Sequence, residues 1–151
     1  MKDRACGIIL RNNKVMFIEQ WYDIDDLRHM FVGGGVEENE TPEQAVLREL
    51  HEEANITGKI LFGPITVTKR RTEHIFILSI GDQEPTPGYD PEYAADDQDI
   101  TNILWYDADD DIDLFNDVDI GYFRLVIEEA EKHNVSSEWA DILKNIVSNA
   151  R

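Results

Sequence analysis

Apolar positions in this chain come first as short runs and later as longer stretches spaced by three and four. Residues 5–10, ACGIIL, and 14–19, KVMFIE, are two such runs separated by RNN. Asparagine-rich turn chemistry between β-favouring runs predicts a hairpin. The stretch 29–35, HMFVGGG, predicts a third strand that runs into a glycine loop. TPEQ then predicts a helix start, with Thr41 as N-cap, Pro42 at the first helical position and Gln44 three residues after the cap. That helix is expected to reach about Ala54, with Asn55 suited to a left-handed C-terminal position. Strands are predicted over 59–69 and 73–80, a long proline-bearing loop over 82–98, and another strand over 100–108. Residues 120–133 and 136–149 carry helical apolar spacing, and Ser137, rather than Ser136, is placed to cap the second. Strands interleaved with a central helix and followed by helices imply a mixed sheet covered on its faces. No internal repeat or low-complexity tract interrupts this order.

Composition narrows the setting. The 151 residues suffice for one domain with its own core and hardly for two. Fourteen Lys and Arg against thirty-two Asp and Glu leave a net charge of −18. Such a surface repels nucleic-acid backbones and anionic membranes, which argues against polymeric nucleic acid and membrane as partners. It leaves room for a small anionic substrate that arrives with a metal. Cys6 is the only cysteine, so no intrachain disulfide and no cysteine metal cluster can form. The start lacks the pattern of a signal peptide, and no apolar run approaches the ~18 residues of a membrane helix. A reducing, cytoplasmic setting is expected.

The stretch from Gly33 to Ile56, GGGVEENETPEQAVLRELHEEANI, carries the candidate chemistry. On a helix Glu49, Glu52 and Glu53 share one face, while Ala45, Val46, Leu50 and Ala54 lie mainly on others. Like charges at these spacings repel by roughly 0.2–0.5 kcal/mol per exposed pair. A hard divalent cation converts that repulsion into coordination, because Mg²⁺ takes oxygen ligands from one or two carboxylates plus substrate phosphates. The plainer alternative is a solvated acidic face with an Arg48–Glu52 pair at i, i+4. The glycines ahead of the helix favour the metal, since they let backbone approach a phosphate closely.

This stretch resembles the signature of the Nudix hydrolase family, G-x5-E-x7-R-E-U-x-E-E-x-G-U, where U is a bulky aliphatic residue. Gly34 opens it, Glu40 follows, and Arg48, Glu49, Leu50, Glu52, Glu53 and Ile56 fill the later positions. The late Gly is Asn55, the residue next best suited to a left-handed backbone. Val32 stands where the family often has proline, and Asn39 where it often has glycine. The resemblance implies an α/β/α sandwich with a mixed β-sheet and C-terminal helices. It also implies one Nudix domain over 1–151, with the box at 34–56. The implied activity is Mg²⁺-dependent pyrophosphohydrolysis, with Mn²⁺ as a substitute, in which water attacks a phosphorus of a small nucleotide or nucleoside-diphosphate derivative. Glu49, Glu52 and Glu53 would be metal ligands and catalytic residues, with the Gly34 carbonyl as a further ligand. Arg48 would orient a glutamate and Glu40 brace the loop. The base would come from the box or from a later loop, where Glu92, Asp96, Asp97 and Asp99 are candidates.

The distal part of the substrate is read from residues outside the box. Arg28 follows Trp21 and Tyr22 and precedes His29, and Lys69, Arg70 and Arg71 form the only basic run. These four cations are the candidate substrate-binding residues, with Tyr89 and Tyr93 as stacking candidates. The expected partner is a small-molecule diphosphate, and a homodimer is compatible with the pattern. Two alternatives share the fold. One is a non-catalytic Nudix-like ligand-binding or regulatory domain, disfavoured by the intact set Arg48, Glu49, Glu52 and Glu53. The other is an isoprenoid-diphosphate isomerase, disfavoured because the lone Cys6 lies in the first strand.

Overall fold

The computed structural model describes residues 2–88 and 100–150. Seven strands and three helices follow in the order β1 (Arg4–Arg11), β2 (Lys14–Asp23), β3 (Asp26–Met30), β4 (Val32–Gly35), α1 (Pro42–Ala54), β5 (Lys59–Thr68), β6 (Thr72–Ser79), β7 (Ile100–Asp107), α2 (Asp117–Lys132) and α3 (Glu138–Asn149). A single 3₁₀ turn at Ile112–Leu114 precedes α2. The mixed sheet has the order β3-β2-β1-β6-β5, with β4 also paired to β1 and β7 to β2. Among the described residues, only the β1–β6 pairing is parallel.

The alternation of side chains along the strands builds two cores, one on each face. On β1, Cys6 and Ile8 join Phe17, Ile75, Phe123, Val126 and Leu143 in the core under α2 and α3. Ala5 and Ile9 join Met16, Ile18, Phe76, Val46 and Leu50 in the core under α1. A period of two on the strands thus meets a period of 3.6 on helices from both sides, which gives the expected sandwich. Among the described residues no helix is long and apolar enough to cross a membrane.

β2 runs on to Asp23, beyond the predicted 14–19, and two further differences from the sequence reading shape the fold. The expected strand over 29–35 is two strands broken at Phe31, and β3 begins at Asp26, upstream of that reading. β3 pairs with β2, whereas β4 pairs with β1. β1 and β2 are paired only at Leu10–Val15 and Arg11–Lys14, so the sheet splays beyond that point. The chain crosses between the diverging halves at Phe31. The second difference is α2, which starts at Asp117 rather than Ile120. Asn116 and Asp119 form a reciprocal capping box that carries the helix upstream of its apolar run.

Candidate active site

α1 starts where its local chemistry requires. Thr41 accepts from the Gln44 backbone N–H at 3.1 Å, and Gln44 Oε1 accepts from the Thr41 N–H at 2.9 Å, with Pro42 at the first position. The helix ends at Asn55, which adopts φ 57° and ψ 33° and donates its N–H to the His51 carbonyl. The Asn55 side chain does more than tolerate that geometry. Its Nδ2 lies 3.1 Å from Thr86 Oγ1 and 3.2 Å from the Pro87 carbonyl. The Thr86 and Gly88 N–H groups donate to the carbonyls of Ala54 and Glu53 at 3.0 and 2.8 Å. These bonds satisfy helix-end carbonyls that would otherwise lack partners. A Cβ on Gly88 would collide with the Glu52 backbone.

With both ends held, one flank of α1 lies along β4. β4 places Gly33, Gly34 and Gly35 opposite Cys6, Ala5 and Arg4. A Cβ on Gly34 would overlap the Glu49 carboxylate, so this glycine is what lets α1 lie so close. Arg48 is the hub. Its Nε and Nη2 reach Glu40 Oε2 and Oε1 at 2.8 and 3.0 Å, a bidentate pair. Nη1 reaches Glu49 Oε1 at 2.9 Å and Glu52 Oε2 at 3.3 Å, while Nη2 also donates to the Gly35 carbonyl at 3.0 Å. Glu40 also accepts from the Glu37 N–H at 2.9 Å, which ties the loop to the guanidinium. The bond to Arg48 holds the Glu40 carboxyl below its usual range, and the same bond raises the Arg48 pKa further. Glu53 turns toward β4 and accepts from the Gly33 N–H at 2.7 Å.

The three helix carboxylates therefore share a flank with Gly34, as the box spacing predicts. Among the described residues no three acidic, His or Cys side chains form a ready-made metal cluster. Arg48 stands between Glu49 and Glu52, and Glu53 is drawn to backbone. The oxygens present, from carboxylates and glycine backbone, are nevertheless the donors that a hard divalent cation takes.

The outer candidates separate. Arg28 is held on β3 by Asp26, with Nη2 2.6 Å from Oδ2, and its guanidinium lies 4.2 Å from the Tyr22 ring centroid. Lys69, Arg70 and Arg71 form the β5–β6 turn and line a groove of about 890 Å³ against α2, whose lining includes none of the box glutamates. Glu92, Asp96, Asp97, Asp99, Tyr89 and Tyr93 lie outside the described residues. Sequence reading missed Arg124, which lines the same groove from α2. Its signal was the spacing of Val118, Gly121, Tyr122 and Leu125 on one helical face. It also missed the contact of His29 Nε2 with Asp119 Oδ2 at 2.7 Å, which joins β3 to the start of α2.

The sequence profile of the NUDIX domain matches residues 1–126. Among solved structures, a NUDIX-family hydrolase from Clostridium perfringens is 19% identical, with a TM-score of 0.57 over 74% of this chain and 83% of that one. The E. coli ORF135 protein is 20% identical, with a TM-score of 0.55 over 74% of this chain and 77% of that one. An ADP-ribose pyrophosphatase from Streptococcus suis is 15% identical, with a TM-score of 0.55 over 72% and 75%. At these identities the likeness is one of fold. No curated protein matches the sequence. The profile match, together with a glycine strand laid against a capped glutamate helix in a two-faced mixed sheet, places this chain in the NUDIX domain family.

Proposed function

We propose that the chain is a Mg²⁺-dependent pyrophosphohydrolase that cleaves the diphosphate linkage of a small nucleotide or nucleoside-diphosphate derivative. The observation that carries this reading is the reach of Arg48, which bonds Glu40, Glu49, Glu52 and the Gly35 carbonyl at once. Such an arrangement aligns several carboxylates around one guanidinium. Glu49, Glu52 and Glu53, with the Gly34 carbonyl, are the residues that would hold Mg²⁺, or Mn²⁺ in its place. The bound ion supplies charge neutralisation on the diphosphate and activation of a water. Arg48 fixes the rotamers of Glu49 and Glu52, so that little ordering remains when substrate arrives. Glu40 holds Arg48 from the far side and keeps it out of the reacting position. Gly34 lets the Glu49 carboxylate lie against β4, and water attack on phosphorus breaks the P–O–P bond.

The rest of the reading follows from the same site. Residues 127–150 pack Leu143 and Ile146 into the core that β1 and β6 build, which supports one domain over the whole chain. The substrate is a small molecule, and the setting is the cytoplasm. Incubation with a panel of nucleotides, nucleotide sugars and dinucleoside polyphosphates tests this, with released phosphate read after a phosphatase step. Mg²⁺-dependent turnover of at least one diphosphate is expected. Turnover that persists in excess chelator overturns the metal role.

A further inference from the structure

Asn55 stands at the signature position that the family fills with glycine. Its backbone, at φ 57° and ψ 33°, asks for nothing that glycine does not supply without strain. A side chain at this point is therefore informative through what it touches. Asn55 Nδ2 lies 3.1 Å from Thr86 Oγ1, 3.3 Å from the Thr86 carbonyl and 3.2 Å from the Pro87 carbonyl. All three oxygens can accept, so the amide is directed at a segment 31 and 32 residues further along the chain.

The segment 81–88 is held at two places. Near its start, Gln83 Nε2 donates to the Thr57 and Ile80 carbonyls, each at 2.7 Å. Arg11 Nη1 adds bonds to the Gly81 and Gln83 carbonyls at 3.1 and 2.6 Å. At the far end the holds are on the last turn of α1. The Thr86 N–H donates to the Ala54 carbonyl at 3.0 Å, and the Gly88 N–H to the Glu53 carbonyl at 2.8 Å. Gly88 packs so closely that a Cβ there would collide with the Glu52 carbonyl. The Asn55 amide thus grips the chain beside the backbone contacts that meet Glu52 and Glu53.

That turn is the part of α1 least held by the helix itself. The last carbonyls of a helix have no intrahelical partner, and helix ends open at a low free-energy cost. Glu52 and Glu53 stand on this turn, whereas Glu49 lies one turn earlier. Arg48 Nη1 is 2.9 Å from Glu49 but 3.3 Å from Glu52, so its grip is closer on the earlier residue. Order at Glu52 and Glu53 therefore draws on the segment packed against their backbone. Side chains that must meet an ion to within about 0.5 Å depend on support of this kind.

We propose that Asn55 is a positioning residue: its amide latches residues 86–88 to the end of α1, and the latch sets Glu52 and Glu53 for the ion. The inference rests on the reading of the glutamate flank as a Mg²⁺ site. It assigns a role to the side chain by which this chain departs from the signature, and that role is carried through backbone.

The test uses Asn55→Gly, which keeps the left-handed backbone and removes the amide. Asn134→Gly is the control, since Asn134 has a similar backbone at φ 54° just past α2. Mn²⁺ alone, followed by its enhancement of water-proton relaxation when bound, reports the site without turnover. Asn55→Gly should bind Mn²⁺ about tenfold more weakly than wild type. Without metal, its Thr86 and Gly88 amides should exchange hydrogen about tenfold faster, the size of one net hydrogen bond, while the Thr57 amide held by Gln83 stays unchanged. At low Mg²⁺ its turnover should fall about tenfold, and high Mg²⁺ should restore it with the substrate KM unchanged. A damaged fold would not recover in that way. Asn134→Gly should match wild type in every readout. Faster exchange with unchanged Mn²⁺ affinity makes Asn55 a structural tie alone and overturns the proposal, as does wild-type exchange at Thr86 and Gly88. Weaker Mn²⁺ binding in Asn55→Gly, with no diphosphate hydrolysed by wild type, supports the latch and removes the hydrolase reading. No Mn²⁺ bound by wild type overturns the metal site and the latch with it.

Discussion

Two polar clusters lie on opposite sides of the sheet, and they are built on opposite rules. Around Arg48, one guanidinium meets carboxylates from Glu40, Glu49 and Glu52, with its side chain 28% exposed. Around His29, one imidazole meets one carboxylate, Asp119, at side-chain exposures of 15% and 4%. Asn116 Nδ2 lies 3.2 Å from the same His29 nitrogen, and the Tyr106 hydroxyl lies 3.4 Å from His29 Nδ1. Phe17 and Tyr106 close over the imidazole, with ring centroids 4.5 and 5.1 Å away. Burial, helped by the Asp119 charge, raises the Tyr106 phenol above its usual pKa. The first cluster sets three carboxylates around one guanidinium near solvent, as the cation site proposed above requires. The second is matched and closed, and its partners are used up in joining β3 to the start of α2.

Breaking the closed cluster should cost the most stability. His29→Leu leaves the Asp119 carboxylate buried without its ring partner, and removing one member of a buried pair typically costs about 3–5 kcal/mol. The remaining N–H of Asn116, which Asp119 Oδ2 accepts at 3.0 Å, compensates for part of this. Chemical denaturation should show the loss, while turnover per folded molecule stays close to wild type. A His29→Leu protein that is stable but inactive would move this histidine into the working site and erase the distinction.

The open cluster should behave the other way round. Glu53→Gln keeps an oxygen to accept from the Gly33 N–H but loses the charge. Its kcat should fall at least ~100-fold, about 2.7 kcal/mol in the barrier, with little change in melting. A near wild-type rate at saturating Mg²⁺ contradicts the assignment of Glu53. Acid exposes the same cluster as a stability element. Glu40 is held below its ordinary value of 4.5 by Arg48, so its contribution is present above that value and is lost as pH falls through the depressed one. One bidentate charge-assisted pair corresponds to about 2 kcal/mol. In chelator, wild type should therefore lose more stability than Glu40→Gln as pH drops below about 4.5. Asp26 and Asp107 are also held low, and they cancel in this difference. Parallel pH profiles for the two proteins would show that the Glu40–Arg48 pair adds nothing to folding.

The first cluster was legible in the sequence and the second was not, for one physical reason. Thr41, Pro42, Gln44 and Asn55 act on backbone within a few residues, so the helix and its glutamate face follow from short-range chemistry. His29 and Asp119 are 90 residues apart, and nothing local marks either as the other's partner. The break at Phe31 is hidden likewise, because partner choice between β1 and β2 depends on how the sheet splays. The Asn55 side chain shows the mixture. Its left-handed backbone was readable, but its bonds to Thr86 and Pro87 span 31 and 32 residues. Arg124 joins the basic turn only because α2 packs across β5 and β6.

The smallest effect is the most direct probe of the surplus charge. If the α1 flank holds Mg²⁺, the ion should bind the folded chain better than the unfolded one. For a dissociation constant of about 1 mM and about 10 mM free ion, the linkage stabilisation is roughly 1.4 kcal/mol. In a domain of this size that is a melting shift of about 3–6 °C. General screening of a −18 surface also raises stability, so the comparison is made at matched ionic strength with a monovalent salt. The Glu52→Gln, Glu53→Gln double variant sharpens it. Neutralisation relieves repulsion of roughly 0.2–0.5 kcal/mol per pair. It also weakens the Arg48–Glu52 contact at 3.3 Å and the Gly33–Glu53 contact at 2.7 Å. These changes oppose one another, so without Mg²⁺ the double variant should melt close to wild type. With Mg²⁺ it should lose most of the ion-specific shift. An equal Mg²⁺ response in both proteins would mean that this flank does not hold the ion, and the Arg48 cluster would then be as closed as that of His29.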